Sequence, residues 1–300
     1  MSVSNHVEES KVRIAVIGAG TMGGAMAARW IGAHFEVDFW SRRPVPKLTD
    51  LGATGHQDVE EAVANADIVV TMLPTADVTT TVMFDANGFE AMRQNAIWIQ
   101  MATIGPIATD AIAAQVRTRR PDVTFVDAPV SGSKGPAEAG QLLILASGDE
   151  ANRPLLDRLF AAVGKRTMWL GDVGAGSRMK LILNTWLAFQ IEGAAEAASL
   201  ASRLGVSSSA LRDALSDSPL ASPYALAKLE RILDVNFEAD FALDLALKDL
   251  DLVVADAGND AVPIAADIAV RWRQLVDHGA SGLDVSAAAI GLVTPSGTTR

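Results

Sequence analysis

A glycine-rich turn near the start of the chain constrains its fold more than any other feature. Residues 14–24 read IAVIGAGTMGG, where an apolar run meets Gly18, Gly20 and Gly23 and a helical pattern follows. A strand that passes through G-x-G-x-x-G into a helix is typical of a dinucleotide-binding βαβ unit, whose helix N-terminus faces the phosphates. Gly18 would permit the tight turn, Gly20 would let a pyrophosphate approach the backbone, and Gly23 would let the helix pack closely. A plain tight turn is the alternative, and the flanking strand and helix patterns argue against it.

The residues after the second predicted strand, Phe35–Trp40, bear on which dinucleotide binds. NAD enzymes usually have Asp or Glu there to bind the ribose 2′-hydroxyl. This chain has Ser41, Arg42 and Arg43 instead, while Asp38 lies inside the strand. Because a guanidinium binds a 2′-phosphate that a carboxylate would repel, we predict NADP(H) in preference to NAD(H). The alternative is that the two arginines are a solvated surface pair.

Strand-like and helical runs alternate over the first 170 residues, which predicts a parallel, doubly wound sheet. The predicted strands are Val12–Ile17, Val37–Trp40, Ile68–Met72, Ala96–Gln100, Thr124–Asp127, Leu142–Ser147 and an ambiguous Val163–Leu170. After Gly176 only helical patterns remain, beginning with a long alanine-rich helix over 177–204. The further predicted helices are Ser207–Ser216, Pro223–Leu233, Phe241–Gly258, Ile264–His278 and Ser286–Leu292. We therefore predict a disordered tail over 1–10, a Rossmann-type α/β domain over 11–173, and an all-α substrate and dimerisation domain over 174–300.

Composition argues against several classes of protein. The 300 residues are 49% apolar, carry a formal net charge of −11 and include no cysteine. The acidic charge argues against nucleic-acid binding, and the lack of cysteine excludes disulfides and thiolate nucleophiles. No apolar run is long enough to span a bilayer, residues 1–10 do not resemble a signal peptide, and no carboxylate–histidine cluster has metal-ligand spacing. We expect a cytoplasmic protein that binds no membrane and no metal.

Lys180 and Asn184 lie four residues apart near the start of the long predicted helix, so both would project from one face. A desolvated lysine can act as a general acid or base, because burial lowers its pKa toward neutrality. Spacing alone nevertheless favours a surface lysine near a polar helix start. Lys248 and Asp249 are a similar charged pair in an apolar helix, and the simplest interpretation is a solvated face.

Four motifs, in order, resemble those of the β-hydroxyacid dehydrogenase family, which includes 3-hydroxyisobutyrate dehydrogenases, tartronate semialdehyde reductases and glyoxylate/succinic semialdehyde reductases. They are the turn at 18–24 with Met22, the sequence DAPVSGS at 127–133 followed by KGPAEAG, the sequence GAG at 174–176 followed by Lys180 and Asn184, and KDL at 248–250. The resemblance covers about residues 12 to 290. It changes the interpretation of Lys180 in favour of catalysis.

The resemblance implies a role for each matched residue. Lys180 would give a proton to the substrate carbonyl oxygen, and Asn184 would assist by orientation. Substrate contacts are implied at Ser131, Gly132, Ser133, Thr103, Lys180, Asn184, Phe241 and Asp249. Cofactor contacts are implied at Gly18, Ala19, Gly20, Thr21, Met22, Gly23, Ser41, Arg42, Arg43, Leu73, Pro74, Val78, Thr103 and Lys248.

The substrate motif bears on the subgroup. The sequence SGSK followed by GQLLILA, with Phe241 eight residues before Asp249, is similar to glyoxylate/succinic semialdehyde reductases. Ser41 and Gly135 depart from the usual asparagine and lysine. We expect a homodimer or homotetramer that reduces a small aldehyde acid or oxidises the matching hydroxy acid. An imine reductase on the same fold is one alternative, against which Lys180 argues. A non-catalytic dinucleotide-binding or interaction protein is another, against which the intact lysine, asparagine and glycine turn argue.

Overall fold

The computed structural model describes residues 12–216 and 218–292, so the tail predicted over 1–10 lies outside the described residues. The backbone divides into two compact units, Met1–Ser177 and Arg178–Arg300. The first unit contains a sheet with helices, and the second is helical. The predicted fold class, a Rossmann-type sheet followed by an all-α unit, is confirmed.

Six parallel strands form most of the sheet in the first unit. They are β1 (Arg13–Ile17), β2 (Glu36–Trp40), β3 (Thr54–His56), β4 (Ile68–Thr71), β5 (Ile97–Gln100) and β6 (Thr124–Asp127). Their spatial order is β3-β2-β1-β4-β5-β6, so chain order reverses between β1 and β4. In open α/β sheets, ligands bind at the carboxyl ends of the strands beside such a reversal. The turns after β1 and β4 are therefore the expected place for a cofactor.

The last three strands depart from the parallel pattern. They are β7 (Val130–Ser131), β8 (Leu142–Gly148) and β9 (Gly164–Trp169). β8 runs antiparallel to β6 and β7, whereas β9 is parallel to β8. A parallel return needs a long crossover, usually a helix. The chain between β6 and β8 instead holds the short strand β7 and a helix of 5 residues, so the prediction of a wholly parallel sheet is wrong here.

Helices cover both faces of this sheet. They are α1 (Thr21–Gly32), α2 (Pro46–Asp50), α3 (Val59–Val63), α4 (Ala76–Thr80), α5 (Pro106–Arg119), α6 (Lys134–Glu138) and α7 (Arg153–Val163), with a π-helical turn at Thr81–Asp85 and a 3₁₀ turn at Glu150–Asn152. Successive β1 side chains point to opposite faces. Ile14 and Val16 accordingly pack in one apolar cluster, while Ala15 and Ile17 pack in another. Burial on both faces explains why residues 14–17 of β1 form a continuous apolar run.

The second unit contains the rest of α8 (Ala175–Arg203), which begins in the first unit. Its other helices are α9 (Ser208–Ser216), α10 (Pro223–Leu233), α11 (Leu243–Ala257) and α12 (Pro263–Leu275), with a π-helical turn at Val276–Ala280 and a 3₁₀ helix at Val285–Ala289. The 3₁₀ helix replaces the helix predicted over Ser286–Leu292. Among the described residues of this unit, strand pairing is limited to one isolated bridge, between Ala242 and Asp284. Ile191, Leu250 and Trp272 lie in its main apolar cluster.

Candidate active site

Two glycines of the first turn occupy space that no side chain could share. Gly18 has φ +101°, and its N–H donates to the Trp40 carbonyl at 3.0 Å. A Cβ on Gly18 would lie 2.5 Å from the Met72 carbonyl oxygen, and one on Gly23 would lie 2.2 Å from the Gly18 carbonyl oxygen. A side chain on Gly18 would therefore push the end of β1 away from the end of β4, and one on Gly23 would push α1 away from the turn. The tight turn and the close approach of α1 both depend on these glycines.

Gly20 has the opposite environment. It is the N-cap of α1, and a Cβ added to it would meet nothing within 4 Å among the described residues. Open space there leaves the first-turn N–H groups of α1, which starts at Thr21, accessible to an anion. Ala19 is buried, and Met22 packs against the apolar cluster beneath. The turn thus fits the pyrophosphate of a dinucleotide.

A cleft of about 500 Å³ adjoins this turn. Gly20 and Thr21 line it together with the cationic side chains of Arg29, Lys47 and Lys134. Glu138 also lines the cleft, so three of its four ionisable groups are basic. An acidic chain therefore concentrates positive charge where phosphates would bind.

The tip of β2 carries no competing carboxylate. Ser41 is half-buried, and Arg42 and Arg43 are exposed directly after the strand. Asp38 lies within the strand, where its Oδ1 is 2.8 Å from His56 Nε2 and its Oδ2 is 3.8 Å from Arg13 Nε. These partners keep the Asp38 carboxylate occupied away from the strand tip.

The turns after β4 and β5 are held by side-chain hydrogen bonds. Thr75 Oγ1 accepts from the Val78 N–H at 3.2 Å and thereby caps α4, just beyond buried Leu73 and exposed Pro74. Gln100 Nε2 donates to the Ala102 carbonyl at 2.7 Å, next to the half-buried Thr103. Both turns follow parallel strands, so they lie at the same edge of the sheet as the glycine turn.

The predicted substrate motif also forms a defined turn. Ser131 ends β7, and Ser133 is the N-cap of α6. Gly132 between them has φ +135°, and a Cβ there would lie 2.8 Å from Leu142 Cδ2. Only glycine suits this position, because a side chain would be both strained and crowded. Ser131 and Ser133 thus flank a residue whose backbone no side chain covers.

Asp127, the first residue of that motif, anchors the start of α8. Its Oδ2 accepts from the Ser177 N–H at 2.8 Å and from Ser147 Oγ at 3.2 Å, while its Oδ1 accepts from Ser177 Oγ at 2.8 Å. Burial raises the pKa of the Asp127 carboxyl to about 6, and the hydrogen bonds from Ser177 and Ser147 oppose that shift. A buried carboxylate is thus paired with the N-terminus of the longest helix.

In the second unit, the predicted catalytic residues lie together. Lys180 is 9% exposed, Asn184 is 6% exposed and Asp249 is 3% exposed. Asn184 Nδ2 donates to Asp249 Oδ2 at 2.5 Å, and Lys248 Nζ lies 2.7 Å from Asp249 Oδ1. This burial rules out a surface Lys180 and a solvated Asp249, whereas the Lys248 side chain stays 24% exposed.

The same groups set the ionisation of Lys180. Burial lowers the pKa of its ammonium below the ordinary value. The Asp249 carboxylate opposes that shift and Lys248 adds to it. A lysine with a lowered pKa gives up its proton more readily near neutral pH. The site therefore has the electrostatics of a general acid or base.

Both units match known protein families. Residues 13–171 match the NAD binding domain of 6-phosphogluconate dehydrogenase. Residues 174–292 match the family described as NAD-binding of NADP-dependent 3-hydroxyisobutyrate dehydrogenase. The chain is also similar to glyoxylate/succinic semialdehyde reductase 1 of Arabidopsis thaliana, with 31% identity over 92% of this chain and 96% of that protein.

This chain belongs to the β-hydroxyacid dehydrogenase family.

Two further similarities extend the comparison of this β-hydroxyacid dehydrogenase. The 3-hydroxyisobutyrate dehydrogenase of Mycobacterium tuberculosis, solved with L-serine, has a TM-score of 0.84 and 26% identity over 95% of this chain and 100% of that chain. The cytokine-like nuclear factor N-PAC of Xenopus tropicalis is 31% identical over 95% of this chain but only 54% of its own length. The predictions of the family, of an enzyme and of NAD(P)-dependent oxidoreductase activity are confirmed.

Membrane-spanning helices and clusters of metal-ligating side chains are both absent from the described residues. Helices within residues 12–216 and 218–292 are too short or too polar to cross a membrane. The same residues contain no group of three or more His, Cys, Asp or Glu side chains arranged to hold a metal ion.

Sequence reasoning missed several residues of this dehydrogenase that the structure singles out. Lys47 and Lys134 line the cleft beside the glycine turn, although neither stands in the G-x-G-x-x-G pattern. Asp127 stands out in the sequence only as part of a motif, and its partner Ser177 is 50 residues away. The one sequence signal that could have found Asp127 is its position at the end of a strand in an otherwise apolar run.

Proposed function

We propose that this protein is an NADP(H)-linked reductase of small aldehyde acids of the glyoxylate or succinic semialdehyde class. In the opposite direction it would oxidise the matching hydroxy acid, of the 3-hydroxyisobutyrate class. The observation that carries the proposal is the buried Lys180, whose lowered pKa suits proton transfer. Reduction of a carbonyl develops negative charge on its oxygen, and a positioned ammonium both stabilises that charge and supplies the proton.

Each residue of the second unit then has a distinct task. Lys180 Nζ donates the proton to the carbonyl oxygen, or accepts it from the hydroxyl when the reaction runs in reverse. Asn184 orients the reacting groups, because its own amide is held in place by the hydrogen bond to Asp249. Lys248 neutralises Asp249 and so keeps that carboxylate from pairing fully with Lys180. Phe241 and Asp249 contact the substrate.

The first unit binds the substrate carboxylate and the dinucleotide. Ser131 and Ser133 offer hydroxyl groups, and Gly132 offers an unobstructed N–H, to the two carboxylate oxygens. The glycine turn holds the pyrophosphate, and Arg42 and Arg43 hold the 2′-phosphate, with Lys47 from the adjacent cleft. A bound nicotinamide dinucleotide supplies the hydride in reduction and accepts it in oxidation.

The remaining cofactor contacts are proposed on the resemblance and on position. Leu73, Pro74, Val78 and Thr103 follow β4 and β5 at the edge of the sheet where the glycine turn lies. Lys248 is proposed as a further cofactor contact.

We also propose that α8 contributes to a homodimer or homotetramer interface. Ile182 and Trp186 lie one turn apart on α8 and are 62% and 63% exposed. Large exposed apolar side chains at helical spacing favour burial against a second copy of the chain.

Two alternatives remain testable. An interaction protein without catalysis is suggested by the name of the N-PAC relative, and an imine reductase by the shared fold. Lys180, Asn184 and the glycine turn are all present in this chain, which favours a dehydrogenase over either.

An NADPH-oxidation panel tests the proposal. Glyoxylate, succinic semialdehyde, methylmalonic semialdehyde and tartronate semialdehyde are supplied in turn, first with NADPH and then with NADH. We expect turnover of at least one aldehyde acid with NADPH and slower turnover with NADH. Lys180→Ala should lose the NADPH-linked and the NADH-linked activity alike. Turnover of a cyclic imine with no aldehyde acid reduced would favour the imine reductase, and binding of NADPH without any turnover would favour the interaction protein.

A further inference from the structure

A buried ion pair lies beside the segment that precedes α11. Lys228, on α10, is 5% exposed, and Asp284 is 0% exposed. Lys228 Nζ lies 2.8 Å from Asp284 Oδ1 and 2.9 Å from Oδ2, and Arg231 Nε lies 3.6 Å from Oδ1. Two desolvated charges are stabilising only when their geometry is good and their other hydrogen bonds are made. The other hydrogen bonds of Asp284 therefore identify the part of the chain that the ion pair positions.

The partners in those hydrogen bonds are backbone N–H groups. The N–H groups of Asp240 and Phe241 each donate to Asp284 Oδ2 at 3.2 Å, and the Ser286 N–H donates to Oδ1 at 3.1 Å. Burial by itself raises the pKa of the Asp284 carboxyl, but hydrogen bonds from Lys228 and Ser286 outweigh it and leave that pKa below its ordinary value. An ionised carboxylate thus holds the backbone at Phe241.

The residues on either side of Asp284 hold the same segment through two further backbone hydrogen bonds. We call this set of contacts the clamp at Asp284. The Val285 N–H donates to the Phe241 carbonyl at 2.9 Å, so both backbone polar groups of Phe241 are held. The Leu243 N–H donates to the Leu283 carbonyl at 2.8 Å, which satisfies the first residue of α11. Asp249 lies on α11 eight residues after Phe241. The clamp at Asp284 therefore fixes the backbone that carries the Phe241 ring, two residues before α11 begins.

We propose that Lys228 and Asp284 are positioning residues that set substrate selectivity by fixing Phe241 relative to Asp249. This inference rests on the proposed function, in which Phe241 and Asp249 contact the substrate. The Phe241 ring is apolar, so it favours contact with methylene groups over contact with a carboxylate. Succinic semialdehyde has two methylene groups between its aldehyde and its carboxylate, whereas glyoxylate has none. The pair consequently matters for the longer aldehyde acid and not for the shorter one.

The variant Lys228→Met tests this selectivity, with Glu192→Gln as the matched control. Glu192 is also buried in the second unit, where it lies 2.7 Å from Arg271 Nη1 and accepts from Trp272 Nε1 at 2.8 Å. We expect Lys228→Met to raise KM for succinic semialdehyde by about tenfold, the low end of the effect of a changed contact in an apolar pocket. KM for glyoxylate and both kcat values should be unchanged, as should every constant of Glu192→Gln. Equal rises for the two aldehydes, or the same rise in the control, would overturn the proposal.

Hydrogen exchange separates failure of this inference from failure of the proposed function. The amides of Asp240 and Phe241 should exchange faster in Lys228→Met than in the wild type, and at wild-type rates in Glu192→Gln. If the wild type reduces neither aldehyde, the proposed function and the selectivity claim fail together, while exchange still decides the positioning claim. If Lys228→Met does not fold, the double variant Lys228→Met with Asp284→Asn also removes the buried carboxylate that has lost its partner. The kinetics and the hydrogen exchange are then measured on that variant. Unchanged exchange at the two amides would overturn the positioning claim.

Discussion

Replacement of Lys180 by methionine should separate catalysis from stability. Burial lowers the pKa of this ammonium, so the unfolded chain binds its proton more tightly than the folded chain does. The protonated lysine therefore opposes folding, and this penalty disappears as pH rises from the lowered pKa toward the ordinary value. Methionine keeps much of the side-chain volume without the charge. We expect the melting temperature of Lys180→Met not to fall, although a structural lysine would lower it on removal.

The same change should sharply lower the rate of hydride transfer. Loss of general-acid help is worth roughly 10²–10⁴-fold, or about 3–5 kcal/mol in the barrier. Lys180→Arg should fail almost as badly, because a guanidinium does not release a proton near neutral pH. Asn184→Ala removes one hydrogen bond to the charged Asp249, worth about 1.5–3 kcal/mol, so its rate loss should lie between about tenfold and 10²-fold.

Stopped-flow absorbance at saturating NADPH measures the chemical step directly. Asp249→Asn supplies a further check, because Asp249 raises the pKa of Lys180 against the effect of burial. Its removal should move the high-pH limb of the reduction rate to lower pH, since the protonated lysine is the donor. A wild-type rate in Lys180→Met or Lys180→Ala would refute the mechanism, and a falling melting temperature with an unchanged rate would assign the lysine to structure alone.

Three further predictions concern the cofactor, the helix anchor and the assembly. Changing Arg42 and Arg43 together to alanine should weaken NADPH binding by about 1.5–3 kcal/mol and leave NADH nearly unchanged in fluorescence titration, whereas equal losses would make them a surface pair. Asp127 has a pKa of about 6 in the fold against an ordinary 3.8, so wild-type stability should fall relative to Asp127→Asn by about 2 kcal/mol between pH 4 and pH 7 in urea titrations. A pH-independent difference would show that the Asp127 carboxyl titrates normally. Light scattering at micromolar concentration should give a dimer or tetramer that Ile182→Glu with Trp186→Glu dissociates, and a monomeric wild type would exclude the interface on α8.

The clearest success of sequence reasoning is the turn from β1 into α1. Gly18 and Gly23 are required by contacts within a few residues or with the adjacent strand β4, as the 2.2 Å between Gly18 O and a Cβ on Gly23 shows. Local contacts of this kind require particular residues at a fixed spacing, which can be recognised in the sequence. The apolar runs that form strands can be recognised in the same way. The antiparallel direction of β8 has no such sequence pattern, because it depends on how the chain between β6 and β8 packs and not on the residues of β8 itself.

Residue types and spacing within the chain determined the fold class and the dinucleotide turn, and the resemblance to family motifs made Lys180 and Asn184 catalytic candidates. Tertiary structure decided which of the charged residues are buried and what each one contacts. Asn184 meets Asp249 across 65 residues, and Lys228 meets Asp284 across 56. Such pairs leave no periodic signal, because desolvation and hydrogen-bond partners are set by distant segments that come together only in the folded chain.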